Sequence, residues 1–144
     1  MKVFAKTEYA CVAMIELASR YGSSEPVSIR KIAERHGVPP RFLVQILLQL
    51  KEAGLVASIR GFAGGYYLVK PPDQVSLGEV MKVLENTSCA NGQTASASPG
   101  SPAVKALLQA WKRVGDVEHD LLRSITFSEL LERAKEQDEQ AYYN

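Results

Sequence analysis

Arg41 and Gln45 carry two side chains whose chemistry suits nucleic acid, and they stand four residues apart in a helical pattern. Residues at this spacing project from one face of an α-helix. A guanidinium can make two hydrogen bonds to the edge of guanine, and a side-chain amide can do the same with adenine. The pair therefore favours a helix that contacts bases or phosphates of duplex DNA. The alternative is that Arg41 only solvates the start of the helix.

Two short helices joined by a tight turn must position this pair. Ser28 suits the N-cap of the first helix, and Gly37 stands where a C-cap glycine is expected. Pro40 suits the first turn of the second helix, which Gly54 ends. Apolar residues recur at helical spacing in both, at Ile29, Ile32 and Ala33 and then at Phe42, Leu43, Ile46, Leu47 and Leu50. The pattern predicts a helix-turn-helix.

A glycine-rich hairpin is predicted directly after the second helix. Leu55 to Ile59 and Tyr66 to Val69 are β-prone, and the turn between them contains Arg60 and several glycines. Such a hairpin beside a helix-turn-helix lies along the DNA backbone or in the minor groove. The predicted fold is mainly α with a small β-hairpin wing, a winged helix-turn-helix. The expected DNA contacts are Ser28, Pro40, Arg41, Phe42, Gln45, Arg60, Gly61, Gly64 and Gly65.

The charge is divided unevenly along the 144 residues, although the net charge is only +1. Residues 1–72 hold ten Lys and Arg against five Asp and Glu, whereas residues 73–144 hold seven against eleven. A local positive field attracts phosphates even when the whole chain is nearly neutral. The basic half is the half that contains the helix-turn-helix, which supports a nucleic-acid partner; an ordinary solvated surface is the alternative.

The flanking segments predict three parts: a DNA-binding domain over 1–86, a flexible loop over 87–102, and a dimerisation helix with a C-terminal helix over 103–144. A first helix is expected from Thr7 to Tyr21, and Ser76 with Glu79 forms a capping box for another. Residues 87–102 lack charge and are rich in Ser, Ala, Gly, Asn and Pro. A last helix should follow the capping box Thr126–Glu129, with a charged tail that frays from Glu132.

The helix expected after Pro102 has an apolar stripe about six turns long. A domain of this size cannot cover such a stripe, so we predict a two-fold dimer. The residues expected at the dimer contact are Val104, Leu107, Leu108, Trp111, Val114, Leu121 and Leu122.

An enzyme is not favoured by the remaining reactive residues. His36 and His119 have no Ser, Cys or Asp at a spacing typical of a triad or a metal site. The run from Gly61 to Gly65 is no phosphate-binding P-loop, because no Lys-Ser or Lys-Thr follows it. Only two cysteines, Cys11 and Cys89, are present, so no disulfide framework is expected. No apolar run is long enough for a membrane span, and we expect a cytoplasmic protein.

Taken in order, several stretches resemble the Rrf-type winged helix regulators of bacteria. They are Tyr9-Ala10, Ile29 to Ala33, Phe42-Leu43, Gln45 to Leu47, Leu50 to Val56, Ser58 to Gly61, Gly64 to Tyr66, and Ile125 to Phe127. The resemblance covers nearly the whole chain. It implies a homodimeric, DNA-binding transcription regulator that dimerises through the helix from about Ala103 to Arg123.

Two positions depart from that family. Many members carry three cysteines in the loop to hold an iron–sulfur cluster, whereas this loop has Cys89 with Ser96, Ser98 and Ser101. Serine is a poor cluster ligand beside a thiolate, so we predict no cluster and no metal. Val44 stands where the resemblance implies a glutamate that can accept from cytosine N4. Valine can only touch a thymine methyl or pack inside, so a different operator is expected.

The function predicted from the sequence is a sequence-specific DNA-binding regulator, a repressor that acts as a homodimer. The alternative is a winged helix regulator that senses a small molecule or redox state through residues 87–102 or the possible sensor Cys89. A third class is a winged helix used only for protein contacts, or a ligand-binding regulator whose binding to DNA is weak. Steeply salt-dependent binding to duplex DNA would separate the first class from the third.

Overall fold

The computed structural model describes residues 1–85 and 100–143, with side chains described through residue 140. It contains six α-helices and one two-stranded antiparallel sheet within these residues. The elements are α1 (Ala5–Ser19), α2 (Ile29–His36), α3 (Pro40–Glu52), β1 (Val56–Ile59), β2 (Gly65–Leu68), a 3₁₀ turn (Pro72–Gln74), α4 (Leu77–Glu85), α5 (Pro102–Ser124) and α6 (Phe127–Tyr143).

The predicted helix-turn-helix is confirmed, and its local chemistry is as expected. The Ser28 hydroxyl accepts a hydrogen bond from the Lys31 amide at 3.1 Å and so caps α2. Gly37 ends α2 with a left-handed φ of 66° and donates to the Ala33 carbonyl. Pro39 is extended, and Pro40 opens α3 at its first position. The turn between the helices is therefore fixed by backbone restriction as well as by packing.

The predicted wing is also present, and its second strand is fastened to the start of the helix-turn-helix. The strands pair in the register Val56↔Leu68 to Ile59↔Gly65. Beyond the hairpin, the Val27 amide donates to the Tyr66 carbonyl at 2.9 Å, and the Tyr66 amide donates to the Val27 carbonyl at 2.8 Å. The wing and the N-terminus of α2 are consequently held together by backbone hydrogen bonds.

One hydrophobic core lies between α1, α3, α4 and the beginning of α6. Burial of each of its large apolar side chains contributes roughly 1.5–3 kcal/mol. Phe127 is fully buried in this core, so the beginning of α6 is anchored against α1 and the helices packed around it. The largest fully buried side chains include Met14, Leu17, Ile32, Leu43, Ile46, Leu47, Leu50 and Phe127.

The junction between α5 and α6 is hydrogen-bonded to the start of α4. The Leu77 amide donates to the Ile125 carbonyl at 2.7 Å, and the Phe127 amide donates to the Val75 carbonyl at 3.0 Å. Both predicted caps are formed here, because Ser76 accepts from the Glu79 amide and Thr126 accepts from the Glu129 amide. The C-terminal end of the long helix α5 is thereby fixed relative to the helix-turn-helix.

Two sequence-based boundaries are wrong. The first helix begins at Ala5, with Phe4 as its N-cap, and Thr7 is buried inside it because α1 packs against the core from its first turn. The last helix continues to Tyr143 instead of fraying from Glu132. Its charged residues are good helix formers, and Glu132 pairs with Lys135 one turn away. Most of the loop predicted over 87–102, namely residues 87–99 with Cys89, lies outside the described residues.

Candidate nucleic-acid interface

The solvent-facing side of α3 is defined by Arg41, Val44, Gln45 and Leu48, which we call the recognition face. All four are exposed and follow the i, i+3, i+4, i+7 spacing of one helical face. The opposite side carries Leu43, Ile46, Leu47 and Leu50, which have no solvent exposure. Because the buried side fixes the rotation of α3, the predicted pair Arg41 and Gln45 is presented to solvent together.

Phe42, one of the predicted DNA contacts, packs against a neighbouring helix and is partly buried. Its ring lies against Tyr9 of α1, with ring centroids 5.6 Å apart, and it is partly buried against the core. The Arg41 guanidinium carbon lies 5.1 Å from the centroid of the same ring. Phe42 therefore holds α3 against α1 and supports Arg41 through a cation–π contact. The sequence alone could not distinguish this role, because Phe42 is adjacent to the exposed Arg41.

A concave surface of about 470 Å³, the wing groove, lies between the wing, the start of α2 and the end of α3. It brings together five of the predicted DNA contacts, namely Ser28, Arg60, Gly61, Gly64 and Gly65. It also contains Lys51, whose ammonium donates to the Ser58 hydroxyl at 2.9 Å. Sequence reasoning missed Lys51; the signal was a basic residue in the last turn of the helix that precedes the wing.

Three glycines of the wing stand at positions where the backbone disfavours any side chain. Gly61 has a φ of 119°, which side chains of L-residues rarely allow. A Cβ on Gly64 would collide with the Ile59 carbonyl oxygen, and a Cβ on Gly65 would collide with the Val27 carbonyl oxygen. Gly65 lies in β2 rather than at the tip, so it permits close docking of the wing onto the segment before α2.

Positive charge is available around this interface. Arg41, Lys51 and Arg60 are exposed, and none of them forms an ion pair with any residue that the structure describes. By contrast, Arg30 on α2 pairs with Glu34 at 2.9 Å. Since these three cations have no carboxylate partner among the described residues, they can meet phosphates or base edges.

The end of α2 is held by a buried carboxylate. Glu16 of α1 is only 5 % exposed, and its two oxygens contact Arg35 Nη1 at 3.0 Å and His36 Nε2 at 2.8 Å. This group, the Glu16 cluster, joins α1 to the last two residues of α2 just before the turn. His36 thus has a structural partner, which its position in the sequence did not reveal.

Helix α5 presents a second surface, an apolar row without any covering element among the described residues. Leu107, Leu108, Trp111, Val114 and Leu121 are all exposed, by 48 to 63 % of their surface, and Val104 is partly exposed. Val117 extends the exposed apolar surface. Leu122, also expected at the dimer contact, packs beside Gly78 of α4 and is partly covered by its own chain.

The described residues contain no group of three or more His, Cys, Asp or Glu that could hold a metal ion. Cys11 in α1 is a poor ligand, since a thiolate is needed and burial, with the charges of Glu85 and Glu8, raises the pKa of this thiol from 9.0 to about 11. Cys89, the other cysteine, lies outside the described residues. Among residues 1–85 and 100–140, no set of side chains therefore fits an iron–sulfur cluster.

Comparison with known proteins extends these observations. The sequence matches the Rrf2 family, described as iron-dependent transcriptional regulator, over residues 3–133. It is 34 % identical over 130 residues to the HTH-type transcriptional regulator CymR of Bacillus subtilis, covering 90 % of this chain and 89 % of that one. The solved structure of B. subtilis CymR, the global cysteine regulator, superposes with a TM-score of 0.77 at 32 % identity, covering 92 % and 98 % of the two chains.

The structure of IscR from T. potens superposes with a TM-score of 0.76 at 33 % identity, covering 95 % of this chain and 90 % of that one. These relatives are transcription regulators and not enzymes, and regulators of this family bind DNA and act as dimers. No helix in residues 1–85 or 100–143 is both long and apolar enough to cross a membrane. With a winged helix-turn-helix and a match over 131 of its 144 residues, the chain belongs to the Rrf2 family of transcription regulators.

Proposed function

We propose that this regulator is a homodimeric, cytoplasmic repressor that recognises a two-fold symmetric operator. The observation that supports this proposal best is the shared exposure of the recognition face and the wing groove. Arg41 and Gln45 meet base edges in the major groove, while Arg60 and Lys51 meet the backbone or the adjacent minor groove. Ser28, Pro40 and the wing glycines then lie where the backbone of the protein approaches phosphates.

Dimerisation is supported by the apolar row on α5. The helix has 23 residues and is about 35 Å long, yet it contains no buried residue. A monomer rarely leaves so continuous an apolar surface in water. A second copy related by a two-fold axis covers the row with the same row. Its two recognition helices would then meet half-sites one helical turn apart, or multiples of that turn.

Repression follows from occupancy of the operator. A dimer that covers DNA overlapping a promoter excludes polymerase, and this form of repression needs no contact beyond those with DNA.

We infer further that the regulator acts without an iron–sulfur cluster. A cluster needs about four good ligands, the sequence supplies one cysteine in the loop, and the raised pKa of Cys11 disfavours the thiolate.

Selection of DNA from a random pool by the purified full chain tests the proposal. The expected product is a palindromic motif, bound with an affinity that falls steeply with salt, by about 0.9 log units per log unit of salt for each phosphate contact. In a purified transcription reaction, the protein should lower the yield from a promoter that contains the motif. If no DNA sequence is enriched from the pool and the binding of the protein to duplex DNA does not depend on salt, the chain would belong instead to the class of winged helices that bind proteins.

A further inference from the structure

We propose that Val44 and Leu48 select thymine methyl groups, so that this regulator reads part of its operator through apolar contacts rather than hydrogen bonds. The inference rests on the proposed function, because it places the recognition face in the major groove. It identifies two specificity-determining side chains and the chemical feature of the bases that they recognise.

The first step is the exposure of the two side chains. Val44 is 53 % exposed and Leu48 is 51 % exposed, although the core beneath α3 is filled by residues with no exposure. Neither side chain is needed to complete the core. Both lie on the same helical face as Arg41 and Gln45, one turn apart from each other. A partner surface that contacts Arg41 and Gln45 therefore also contacts Val44 and Leu48.

The second step is chemical complementarity. Valine and leucine have no hydrogen-bond donor or acceptor in their side chains. In the major groove, the feature that apolar side chains contact is the C5-methyl group of thymine, whereas the other bases are distinguished by hydrogen-bond donors and acceptors. Contact with any other base edge would desolvate a polar group without replacing its hydrogen bond with water. The pair is thus complementary to thymine and selects against the other bases.

The third step is spacing. Val44 and Leu48 are four residues apart, which corresponds to about 6 Å along a helix axis. Successive bases of one strand are about 3.4 Å apart along the DNA axis. The pair therefore spans about two base steps, and the thymines should fall within a stretch of about three base pairs. Gln45, adjacent to Val44, suits adenine, so the same stretch should be rich in A·T pairs.

A protein partner is the other occupant that an exposed apolar pair could have. The position of the pair favours DNA, because Arg41 precedes it, Gln45 lies between its two members, and the exposed Lys51 follows it at the end of α3. The apolar surface assigned to the second copy lies on a different helix, α5. The experiment below distinguishes DNA from a protein occupant.

The experiment removes the methyl group without altering base pairing. Each thymine of the selected half-site is replaced in turn by 2′-deoxyuridine, and the dissociation constant is measured for the full-length protein and for the variants Val44→Ala, Leu48→Ala and Val69→Ala. Val69 is the matched control, since it is 50 % exposed but lies outside α3. Circular dichroism melting checks that each variant is folded.

For the wild-type protein, uracil should weaken binding about fourfold at each contacted thymine. That figure follows from about 0.8 kcal/mol for each methylene-sized group removed from water and 1.4 kcal/mol for each tenfold change. Val44→Ala should abolish the uracil penalty at one position and Leu48→Ala at another, within about three base pairs. Val69→Ala should retain both penalties.

Three results would overturn the inference. If wild-type protein binds the selected motif but tolerates uracil at every thymine, the pair does not read methyl groups, and the proposed function stands. If Val44→Ala and Leu48→Ala weaken thymine and uracil operators equally, the side chains contact sugars or another protein surface instead. If no motif is selected and binding is salt-independent, the proposed function fails and this inference fails with it.

Discussion

Glu16 on α1 and His36 at the last position of α2 are joined by a contact of 2.8 Å between Oε1 and Nε2, although 19 residues separate them in the chain. The second carboxylate oxygen contacts Arg35 at 3.0 Å. Two oxygens of one buried side chain thus hold the two residues that precede the Gly37 turn. The arrangement fixes where α2 ends relative to the scaffold and so helps to orient α3 for its partner.

Replacing Glu16 with glutamine should destabilise the fold without changing side-chain size. The amide loses the negative charge that pairs with the Arg35 guanidinium, and it keeps one acceptor oxygen in place of two. We expect the free energy of unfolding to fall by about 1–3 kcal/mol, as for a buried hydrogen bond to a charged group. Chemical denaturation at neutral pH measures the change.

The matched control is Glu34→Gln, which removes the Arg30–Glu34 pair. Both of those side chains are mostly exposed, at 86 % and 66 %, so no measurable change is expected. Equal stability of the Glu16→Gln variant and the wild type would mean that the Glu16 cluster does not support the helix-turn-helix.

Gln45→Ala should relax base preference at one operator position. If Gln45 makes a good bidentate contact with adenine, its loss costs about 1–3 kcal/mol for the preferred base and little for the other three. DNA selection with the variant should show one position with lowered information content. Gln109→Ala, which removes an exposed glutamine of α5, should leave the profile unchanged. An unchanged profile for Gln45→Ala would exclude this residue from base readout.

Most of the helix-turn-helix could be predicted from the sequence because its signals are local. Ser28, Gly37 and Pro40 act on the backbone within a few residues, and the apolar spacing of α3 fixes its buried side. The wing could be predicted for the same reason. Local signals dominate wherever capping, left-handed glycine and proline restriction agree with apolar periodicity.

Contacts between distant segments could not be predicted. Nothing near Glu16 in the sequence indicates a partner at residues 35 and 36, and nothing near Phe42 shows that its ring faces Tyr9. The close approach of Gly65 to Val27 likewise depends on how the wing docks. The continuation of α6 past Glu132 was missed because its charge pattern fits both a frayed tail and a helix stabilised by neighbouring pairs.

Arg60→Ala should weaken DNA binding if the guanidinium neutralises one phosphate. The slope of the logarithm of the binding constant against the logarithm of the salt concentration should then become shallower by about one unit. Arg60 is exposed and forms no ion pair with the described residues, so the melting temperature should change little. Affinity measured over a series of salt concentrations gives the slope. Arg123→Ala, an exposed arginine at the end of α5, is the control. If the variant loses much stability but keeps the salt dependence of the wild type, Arg60 stabilises the hairpin instead of contacting a phosphate.

Val114→Glu should convert the dimer into a monomer. Val114 is 63 % exposed on α5, and a carboxylate there would be buried without a partner when two copies meet. Light scattering after size exclusion should give about twice 15.8 kDa for the wild type and 15.8 kDa for the variant. Lys105→Glu is a suitable control, because residue 105 lies about half a turn away from residue 114 around the helix. A dimer that survives Val114→Glu would place the contact elsewhere.

Thiol chemistry should be slow at Cys11 and should not support a cluster. The raised pKa of about 11 favours the protonated thiol, so the reactive thiolate is scarce at neutral pH and increases only as the pH approaches that value. In a Cys89→Ser variant, the rate of alkylation by iodoacetamide should therefore rise with pH well beyond pH 9, where an unperturbed thiol would level off. A rate that levels off near pH 9 would show that Cys11 is more accessible than its burial in α1 implies.

Protein purified without oxygen should be colourless and free of stoichiometric iron and sulfide, because Cys89 is the only cysteine that the loop contributes from each chain. Brown protein whose visible absorbance disappears in Cys89→Ser would show instead that ligands other than cysteine complete a cluster.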